Sequence, residues 1–216
     1  MSKTYSVLVV GMGKRGLHHA AAFKANPRFK LAGIASRDAT RLQAAKDKFP
    51  DVPASTDIAA LARSTDADVF CFCTPPNVRV DMIKLGIEAG AKLIAMEKPV
   101  ALTSRELFAM RDLIRTAGVK VVVSHQHRYG KHYQKVKEIV ASGALGRVHT
   151  VYGIATGWMT HLLSHLIDYT AWFNDYSPGV WAMAQAAGRA KLTDNHPSAD
   201  YVGGFVHFAN GLSDLF

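Results

Sequence analysis

The sequence predicts an α/β domain with a doubly wound parallel sheet, followed by a smaller α+β domain with a mostly antiparallel sheet. Up to residue 124, short apolar segments with strand composition alternate with helical segments, which favours a parallel sheet covered by helices on both faces. The segment 69–73 is apolar throughout, as expected for a strand buried on both faces. After residue 124 the alternation stops, so we predict domains at 1–124 and 125–216.

The elements of the first domain follow from their composition and their end signals. The predicted strands are 6–10, 30–35, 52–55, 69–73, 92–96 and 119–124, and the predicted helices are 14–25, 38–49, 57–63, 77–89 and 103–117. Pro27 closes the first helix, and Gly90 and Gly118 end two later ones. Thr103 and Glu106 have the spacing of a capping box, which opens the last helix. We expect the connections to be right-handed crossovers.

The second domain has a different pattern. The predicted strands are 148–155, 180–187 and 201–208, and the predicted helices are 133–142 and 161–173. Residues 209–211 have the composition of a hairpin turn, which favours antiparallel pairing. Because the chain stops at Phe216, one strand into the next hairpin, we expect an unfinished sheet and interpret the chain as a fragment.

Composition and charge restrict the partners. No apolar segment approaches the ~20 residues that a membrane helix needs, and the first residues lead into a strand without a basic leader. We therefore expect a soluble, cytoplasmic protein with no membrane partner. The net charge of +9 comes from 26 Lys and Arg against 17 Asp and Glu, spread along the chain. Without a compact basic stripe, nucleic acid is not an expected partner, whereas a small molecule with phosphate groups accounts for the charge.

The two cysteines, Cys71 and Cys73, lie on the apolar segment 69–73. Their side chains would point to the same face of a strand, which is too constrained for an ordinary disulfide between them. No further metal ligands can be identified beside them. We therefore predict buried structural cysteines and no metal site.

The segment 11–16 carries the clearest chemical signal of the first domain. Gly11, Gly13 and Gly16 form a G-x-G-x-x-G pattern between a predicted strand and a predicted helix. Gly11 permits the tight turn, Gly13 lets the backbone approach a pyrophosphate, and Gly16 allows close packing of helix on strand. The amides at the helix N-terminus, next to Lys14 and Arg15, would face the phosphates. This context predicts a Rossmann-type dinucleotide-binding domain.

The end of the second predicted strand bears on the choice between NAD and NADP. An NAD enzyme typically has an acidic residue there, about 20 positions past the glycines. This chain has Ser36 and Arg37 instead. The serine removes the carboxylate that would repel a 2′-phosphate, and Arg37 can pair with that phosphate. We therefore favour NADP, with NAD and a solvated Arg37 as the alternative.

Four ordered motifs carry a family resemblance. They are the glycine turn with His19 shortly after it, Thr74-Pro75-Pro76-Asn77, Glu97-Lys98-Pro99-Val100, and His165-x-x-Asp168. In this order and at these spacings, the chain resembles the glucose–fructose oxidoreductase, inositol dehydrogenase and rhizopine-catabolism (GFO/IDH/MocA) family from about residue 6 to its end. The resemblance implies cofactor contacts from Gly11, Gly13, Lys14, Arg15, Gly16, Ser36, Arg37, Thr74, Pro75, Asn77, Glu97 and Lys98.

The resemblance also implies the catalytic residues. Lys98 is implied to point between cofactor and substrate, with a cis peptide before Pro99 setting that direction. A hydroxyl that loses a hydride becomes a carbonyl and must shed a proton, so a nearby ammonium can stabilise the developing charge. His165 matches the family histidine that exchanges the substrate proton, and an imidazole with a pKa near ~6.5 suits that task.

His161 departs from the family pattern. Most relatives have an aspartate four residues before the catalytic histidine, so proton relay through His161 is expected to differ. The spacing of His161, His165 and Asp168 places them on one helix face and also fits a metal site, which we keep as an alternative. In addition, the connection 157–160 is shorter than in many relatives, which leaves the substrate open.

The candidate substrate-binding residues are Gln126, Arg128, Tyr129, Trp158 and Asp168. The first three follow the sixth predicted strand, at the end where ligands bind in such sheets. Arg79 stands where many relatives have histidine, and we predict that it is a surface residue.

The predicted function is reversible hydride transfer between a nicotinamide and a hydroxyl carbon of a sugar, cyclitol or related polyol. In this prediction Lys98 polarises the oxygen, and His165, with His161 beside it, handles the proton. One alternative is a non-catalytic NAD(P)-binding sensor. Another is a glycosidase that uses the cofactor transiently. We also expect a homo-oligomer formed through the second sheet, whose exposed edge is predicted at 201–208 or after Gly211.

Overall fold

A computed structural model describes residues 3–156, 159–188, 199 and 201–216. The chain divides into two compact units, Met1–Ser124 and His125–Phe216. Within the described ranges, no helix is long and apolar enough to cross a membrane.

The first unit is a parallel sheet with helices, as predicted. Its strands are Tyr5–Val10 (β1), Phe29–Ala35 (β2), Ala54–Ser55 (β3), Val69–Phe72 (β4), Leu93–Met96 (β5) and Lys120–Val123 (β6). Its helices are Lys14–Ala25 (α1), Ala39–Lys48 (α2), Ile58–Thr65 (α3), Arg79–Glu88 (α4) and Ser104–Ala117 (α5), with a 3₁₀ turn at Pro76–Val78. The strand order is β3-β2-β1-β4-β5-β6, and every pairing is parallel. The order reverses between β1 and β4, which creates the switch point where such sheets bind ligands.

Both faces of this sheet are covered, which explains the apolar strands. In β1, Leu8 and Val10 join one buried cluster, whereas Val7 and Val9 join the other. All four residues of β4 are likewise buried. Because neighbouring side chains on a strand point to opposite faces, a strand between two helix layers must be apolar at every position. Local signals then set the helix ends, and the capping box of Thr103 and Glu106 is present as predicted.

The second unit contains a smaller mixed sheet. Its strands are Thr150–Tyr152 (β7), Gly179–Ala187 (β8), Tyr201–Phe208 (β9) and Ser213–Leu215 (β10), and its helices are Lys131–Ala141 (α6) and Met159–Phe173 (α7). A 3₁₀ turn at Gln126–Tyr129 precedes α6. The β8–β9 and β9–β10 pairings are antiparallel and the β10–β7 pairing is parallel, so the sheet is mostly antiparallel, as predicted. Strand β7 is shorter than the predicted 148–155.

The prediction of the sheet edge is wrong. The strand order among the described residues is β7-β10-β9-β8, so β9 and β10 are interior strands. The edges are β7 and β8 instead. The hairpin between β9 and β10 was predicted correctly, but β10 gains a parallel neighbour, β7, from more than 60 residues earlier in the chain. No local pattern encodes such a pairing.

Asp214 on β10 is a buried carboxyl group in the second unit. Its side chain is 1 % exposed, and its Oδ1 atom has no hydrogen-bond partner among the described residues. Burial raises the pKa of Asp214 to about 6, although a hydrogen bond with Thr170 opposes the shift. The folded chain therefore holds this proton more tightly than the unfolded chain, so stability should fall as pH rises from about 4 to 6.

Replacement of Asp214 by asparagine should remove this pH dependence, because the amide cannot ionise. At pH 7 the variant should be more stable by up to about 3 kcal/mol, the equivalent of two pKa units. Urea unfolding of both proteins between pH 4 and pH 7 measures the effect. Asp175→Asn, at an exposed position of the same unit, is the matched control. Parallel stability curves for wild type and Asp214→Asn would contradict the prediction.

Candidate functional site

The glycine turn between β1 and α1 brings backbone into close contact with backbone. Gly11 has a φ of +90°, and a Cβ atom there would lie 2.8 Å from the carbonyl oxygen of Cys73. A Cβ atom on Gly16 would lie only 1.8 Å from the carbonyl oxygen of Gly11. Gly13 is the N-cap of α1 and makes no side-chain capping hydrogen bond. The amides of the first helical turn are therefore left for a ligand to bind.

A cavity of about 230 Å³ opens beside this turn. Its lining includes these predicted cofactor-binding residues: Gly11, Gly13, Ser36, Arg37, Thr74 and Pro75. It does not include Lys14, Arg15, Gly16, Asn77, Glu97 or Lys98. The hydroxyl oxygen of Thr74 is buried and has no hydrogen-bond partner among the described residues. Because buried polar atoms are rarely left unsatisfied, this hydroxyl fits a polar ligand in the cavity.

Sequence reasoning missed Arg41, which also lines the cavity. Its guanidinium pairs with Asp38 through an Nε–Oδ2 distance of 3.2 Å, and one of its nitrogens lies 3.7 Å from the Cβ position of Gly13. Asp38 caps α2 by accepting a hydrogen bond from the Arg41 amide. The available signal was a cation in the first turn of a helix, where the helix dipole disfavours it.

The two cysteines differ in their surroundings. Both are free, and Cys71 is buried in the core as predicted. Cys73 is only partly buried, because it packs against the core and also lines the cavity, so the prediction is confirmed only in part for this residue. The reason is that β4 ends at Phe72, and the chain beyond it turns toward the ligand-binding edge of the sheet.

Glu97 and His19 form a polar pair next to the cavity. Their Oε1 and Nε2 atoms are 2.8 Å apart, and Glu97 is 9 % exposed. The hydrogen bond with Glu97 raises the pKa of His19. Burial opposes ionisation of Glu97, but the hydrogen bond and the charge of His19 together hold the pKa of Glu97 below its usual value. The pair thus favours an ionised carboxylate beside a protonated imidazole.

Arg79 is not a surface residue, contrary to the prediction. It is 2 % exposed, and its guanidinium donates hydrogen bonds to the carbonyl oxygens of Thr74 and Glu97. Burial lowers the pKa of Arg79 to about 10, so the group stays charged at neutral pH. A side chain in the first turn of α4 reaches back to the carbonyl groups that follow β4 and β5. The only sequence signal for this burial was a cation in the first turn of α4, where the helix dipole disfavours positive charge.

Lys98 follows β5, and the Lys98–Pro99 peptide is cis, as the resemblance implied. The side chain is half-buried. Lys98 therefore lies at the carboxyl end of the parallel sheet, the edge at which ligands bind in this architecture.

In the second unit, His165 lies in a cluster of rings. It is 4 % exposed on α7, and its ring stacks on that of His127 with centroids 4.4 Å apart and planes 11° apart. The ring of His125 meets His165 edge-on at 5.4 Å. His127 also hydrogen-bonds with the hydroxyl of Tyr169 through Nδ1. Sequence reasoning missed His125 and His127, although they directly flank the candidate Gln126.

Two predicted substrate-binding residues pair with each other. Arg128 binds both carboxylate oxygens of Asp168, with an Nε–Oδ2 distance of 3.1 Å, and also donates to the hydroxyl of Tyr176 at 2.6 Å. Asp168 lies 3.7 Å from the Nδ1 atom of His125. The bidentate geometry makes this a strong, oriented pair, so Asp168 is held by Arg128. Gln126 and Tyr129 are exposed.

Two candidates have side chains outside the described part of the chain. Trp158 lies outside the described residues. His161 belongs to α7, but its side chain lies outside the described part of the chain. The metal site built on His161, His165 and Asp168 therefore stays an alternative to the prediction of no metal.

Comparison with known proteins gives a consistent result. The profile of GFO_IDH_MocA, an oxidoreductase family with an NAD-binding Rossmann fold, matches residues 5–125. A 1-carboxy-3-chloro-3,4-dihydroxycyclohexa-1,5-diene dehydrogenase of Comamonas testosteroni is 28 % identical over 68 % of this chain and 36 % of its own length. The scyllo-inositol 2-dehydrogenase (NADP(+)) IolW of Bacillus subtilis is 24 % identical over 96 % of this chain and 65 % of its own length.

Solved structures agree on the fold. GenD2 from gentamicin A biosynthesis, in complex with NAD, has a TM-score of 0.84 at 22 % identity and covers 100 % of this chain and 65 % of its own. The scyllo-inositol dehydrogenase of Lactobacillus casei with bound NAD(H) and scyllo-inositol has a TM-score of 0.82 at 18 % identity, over 99 % of this chain and 68 % of its own. The matched part of this chain spans 36 % and 43 % of the length of two curated relatives.

Proposed function

Because this chain belongs to the GFO/IDH/MocA family of oxidoreductases with an NAD-binding Rossmann fold, we propose that it transfers a hydride between a nicotinamide cofactor and a hydroxyl carbon of a sugar, cyclitol or related polyol. The observation that carries the proposal is the close approach of backbone to backbone at Gly11 and Gly16, which we call the backbone cradle. It lies beside a cavity lined by Thr74, whose hydroxyl has no hydrogen-bond partner among the described residues. This cradle leaves the helix amides open to a phosphate group.

The residues of the first unit fit a dinucleotide. The amides after Gly13 would bind the pyrophosphate, and the Thr74 hydroxyl would gain the partner it lacks. When bound, the nicotinamide supplies the hydride chemistry. The cradle itself would hold the phosphates in place and exclude water from the backbone of the turn.

We assign the proton chemistry to Lys98 and His165. The ammonium of Lys98 would stabilise negative charge on the substrate oxygen as its proton leaves. His165 would accept that proton on the imidazole. The stacked ring of His127 and the edge-on ring of His125 restrict the orientation of His165, so its nitrogen atoms are held in fixed directions.

NADP is the proposed cofactor. Ser36 and Arg37 line the cavity without a carboxylate at the end of β2, and Arg41 adds a second guanidinium. Asp38, the one acidic residue among those that line the cavity, is already engaged by Arg41 and by the cap of α2. A 2′-phosphate would therefore meet Arg37 and an Arg41 that is already paired with Asp38, so the lining carries a net charge of +1. The Bacillus subtilis relative is named for NADP(+), which supports this choice.

A cyclitol is the favoured substrate class within the proposal, because several relatives are named inositol dehydrogenases. We also propose a homo-oligomer formed through the second sheet. All nine residues of the edge strand β8 are exposed, including Trp181 and Met183. A row of exposed apolar side chains on an edge strand favours association. Light scattering tests this, and a monomer would contradict it.

Calorimetric titration with NADPH and NADH tests the proposed cofactor. We expect NADPH to bind more tightly than NADH. Arg37→Gln should weaken NADPH binding about 10-fold or more, the loss of one charge-assisted hydrogen bond, and leave NADH binding nearly unchanged. Arg28→Gln, at an exposed position remote from the lining residues, is the control. Equal affinity for both dinucleotides in wild type would exclude the NADP assignment.

The same protein, supplied with NADP⁺ and a panel of inositols and sugars, should change its absorbance at the nicotinamide band. Tight dinucleotide binding without turnover on any substrate would favour a sensor. Release of an aglycone without net change in the nicotinamide would favour the glycosidase. Absence of binding to either dinucleotide would reject the proposed function altogether.

A further inference from the structure

Arg79 connects the two loops that follow β4 and β5. Its Nε and Nη2 atoms donate to the carbonyl oxygen of Thr74 at 3.2 and 3.0 Å. Its Nη1 atom donates to the carbonyl oxygen of Glu97 at 2.5 Å, and Nη2 lies 3.5 Å from that of Lys98. One guanidinium thus links the loop that lines the cavity to the loop that carries Lys98.

These carbonyl groups need an external donor. β4 ends at Phe72 and β5 ends at Met96, so neither Thr74 nor Glu97 belongs to a ladder of the sheet. A guanidinium offers five N–H groups in a rigid, planar fork, whereas an ammonium is a single point of charge. Arginine can therefore donate to both loops at once in a fixed geometry.

The burial of this cation argues for a specific role. A charged group that is 2 % exposed is costly unless it is well hydrogen-bonded, and the negative charge of Glu97 only partly offsets the cost. A methionine at position 79 would avoid that cost but would remove the donor from the carbonyl oxygens of Thr74 and Glu97. The arginine provides a fixed distance between two loops, which an apolar side chain cannot provide.

We propose that Arg79 is a positioning residue that fixes the position of Lys98 relative to the Thr74 loop. The ammonium of Lys98 then acts at a fixed place relative to the bound cofactor. This inference rests on the proposed function, because it takes Lys98 as the group that acts on the substrate oxygen. Misplacement of a catalytic group by about 1 Å can lower the rate by about 10²-fold, so loss of a hydrogen bond to this loop is sufficient to lower kcat measurably.

Arg79→Lys is the main test variant, and Arg79→Met is the second. Arg115→Lys, at an exposed position of α5, is the matched control. We expect Arg79→Lys to fold, to keep most of its NADPH affinity and to lose about 10- to 100-fold in kcat, with KM nearly unchanged. Arg79→Met should lose at least as much, and the control should match wild type.

A double-mutant cycle separates positioning from a structural role. In the Lys98→Met background, Arg79→Lys should cause no further loss of kcat, because the group through which it acts is already gone. The same fold-loss in both backgrounds would overturn the proposal. A wild-type kcat in Arg79→Lys and Arg79→Met would overturn it as well.

Hydrogen exchange gives a readout that does not depend on activity. Arg79→Lys should increase amide exchange at Thr74, Asn77 and Val78 and at the non-proline residues of 97–102, but not in the β1–α1 turn or in α5. Unchanged exchange in both loops would reject the link. If wild type bound no dinucleotide and transferred no hydride, the proposed function would fail, and exchange confined to the two loops would still support the link made by Arg79.

Discussion

Replacing Lys98 with methionine should lower the rate of hydride transfer by about 10²- to 10⁴-fold, the usual range for loss of an acid–base or electrostatic group. Methionine keeps most of the length of the side chain but has no charge and no proton to donate. The negative charge that develops on the substrate oxygen as its proton leaves, before the hydride is transferred, would then lose the stabilising ammonium. Steady-state kinetics with NADP⁺ and the preferred polyol measure this loss.

The location of the effect is as informative as its size. Because Lys98 is not among the residues that line the cavity, NADPH affinity should change little in Lys98→Met. Lys84→Met, at an exposed position of α4, controls for the loss of a positive charge. A Lys98→Met protein with wild-type kcat would remove Lys98 from the mechanism. A loss confined to NADPH binding would reassign it to the cofactor.

Gly16→Ala should abolish dinucleotide binding and destabilise the first unit. The added Cβ atom would lie 1.8 Å from the carbonyl oxygen of Gly11, a distance that no rotamer change can relieve because both atoms belong to the backbone. The start of α1 must then move away from β1. Overpacking of this kind costs about 1–3 kcal/mol or more, and the displaced amides no longer converge on a phosphate.

Gly13→Ala is the informative partner of that variant. Its Cβ atom would meet only a guanidinium nitrogen of Arg41 at 3.7 Å, so the chain should fold with nearly wild-type stability. It should nevertheless bind NADPH more weakly, because the methyl group stands where the pyrophosphate is expected to approach. Thermal unfolding and calorimetry on both variants test the pair. Full NADPH affinity in Gly16→Ala would contradict the proposed site.

Much of the first unit could be predicted from sequence because its signals are local. The strand β4 is apolar at every position and Thr103 caps α5 within three residues, so short windows are sufficient to find them. The β1–α1 turn likewise depends on glycines within six positions. In the second unit the signals were weaker, and the place of β9 inside the sheet depended on its pairing with β10 and β8.

By itself, the sequence determined the order of strands and helices, the glycine turn and the motif around Lys98, since each depends on residues close together in the chain. Only the tertiary structure decided that Arg79 is buried against a carbonyl group 18 residues away, and that Arg128 pairs with Asp168 across 40 residues. It also brought Arg41 into the cavity lining. A polar side chain forms a hydrogen bond with the group that folding brings within about 3 Å of it. The neighbouring residues in the sequence do not identify that group.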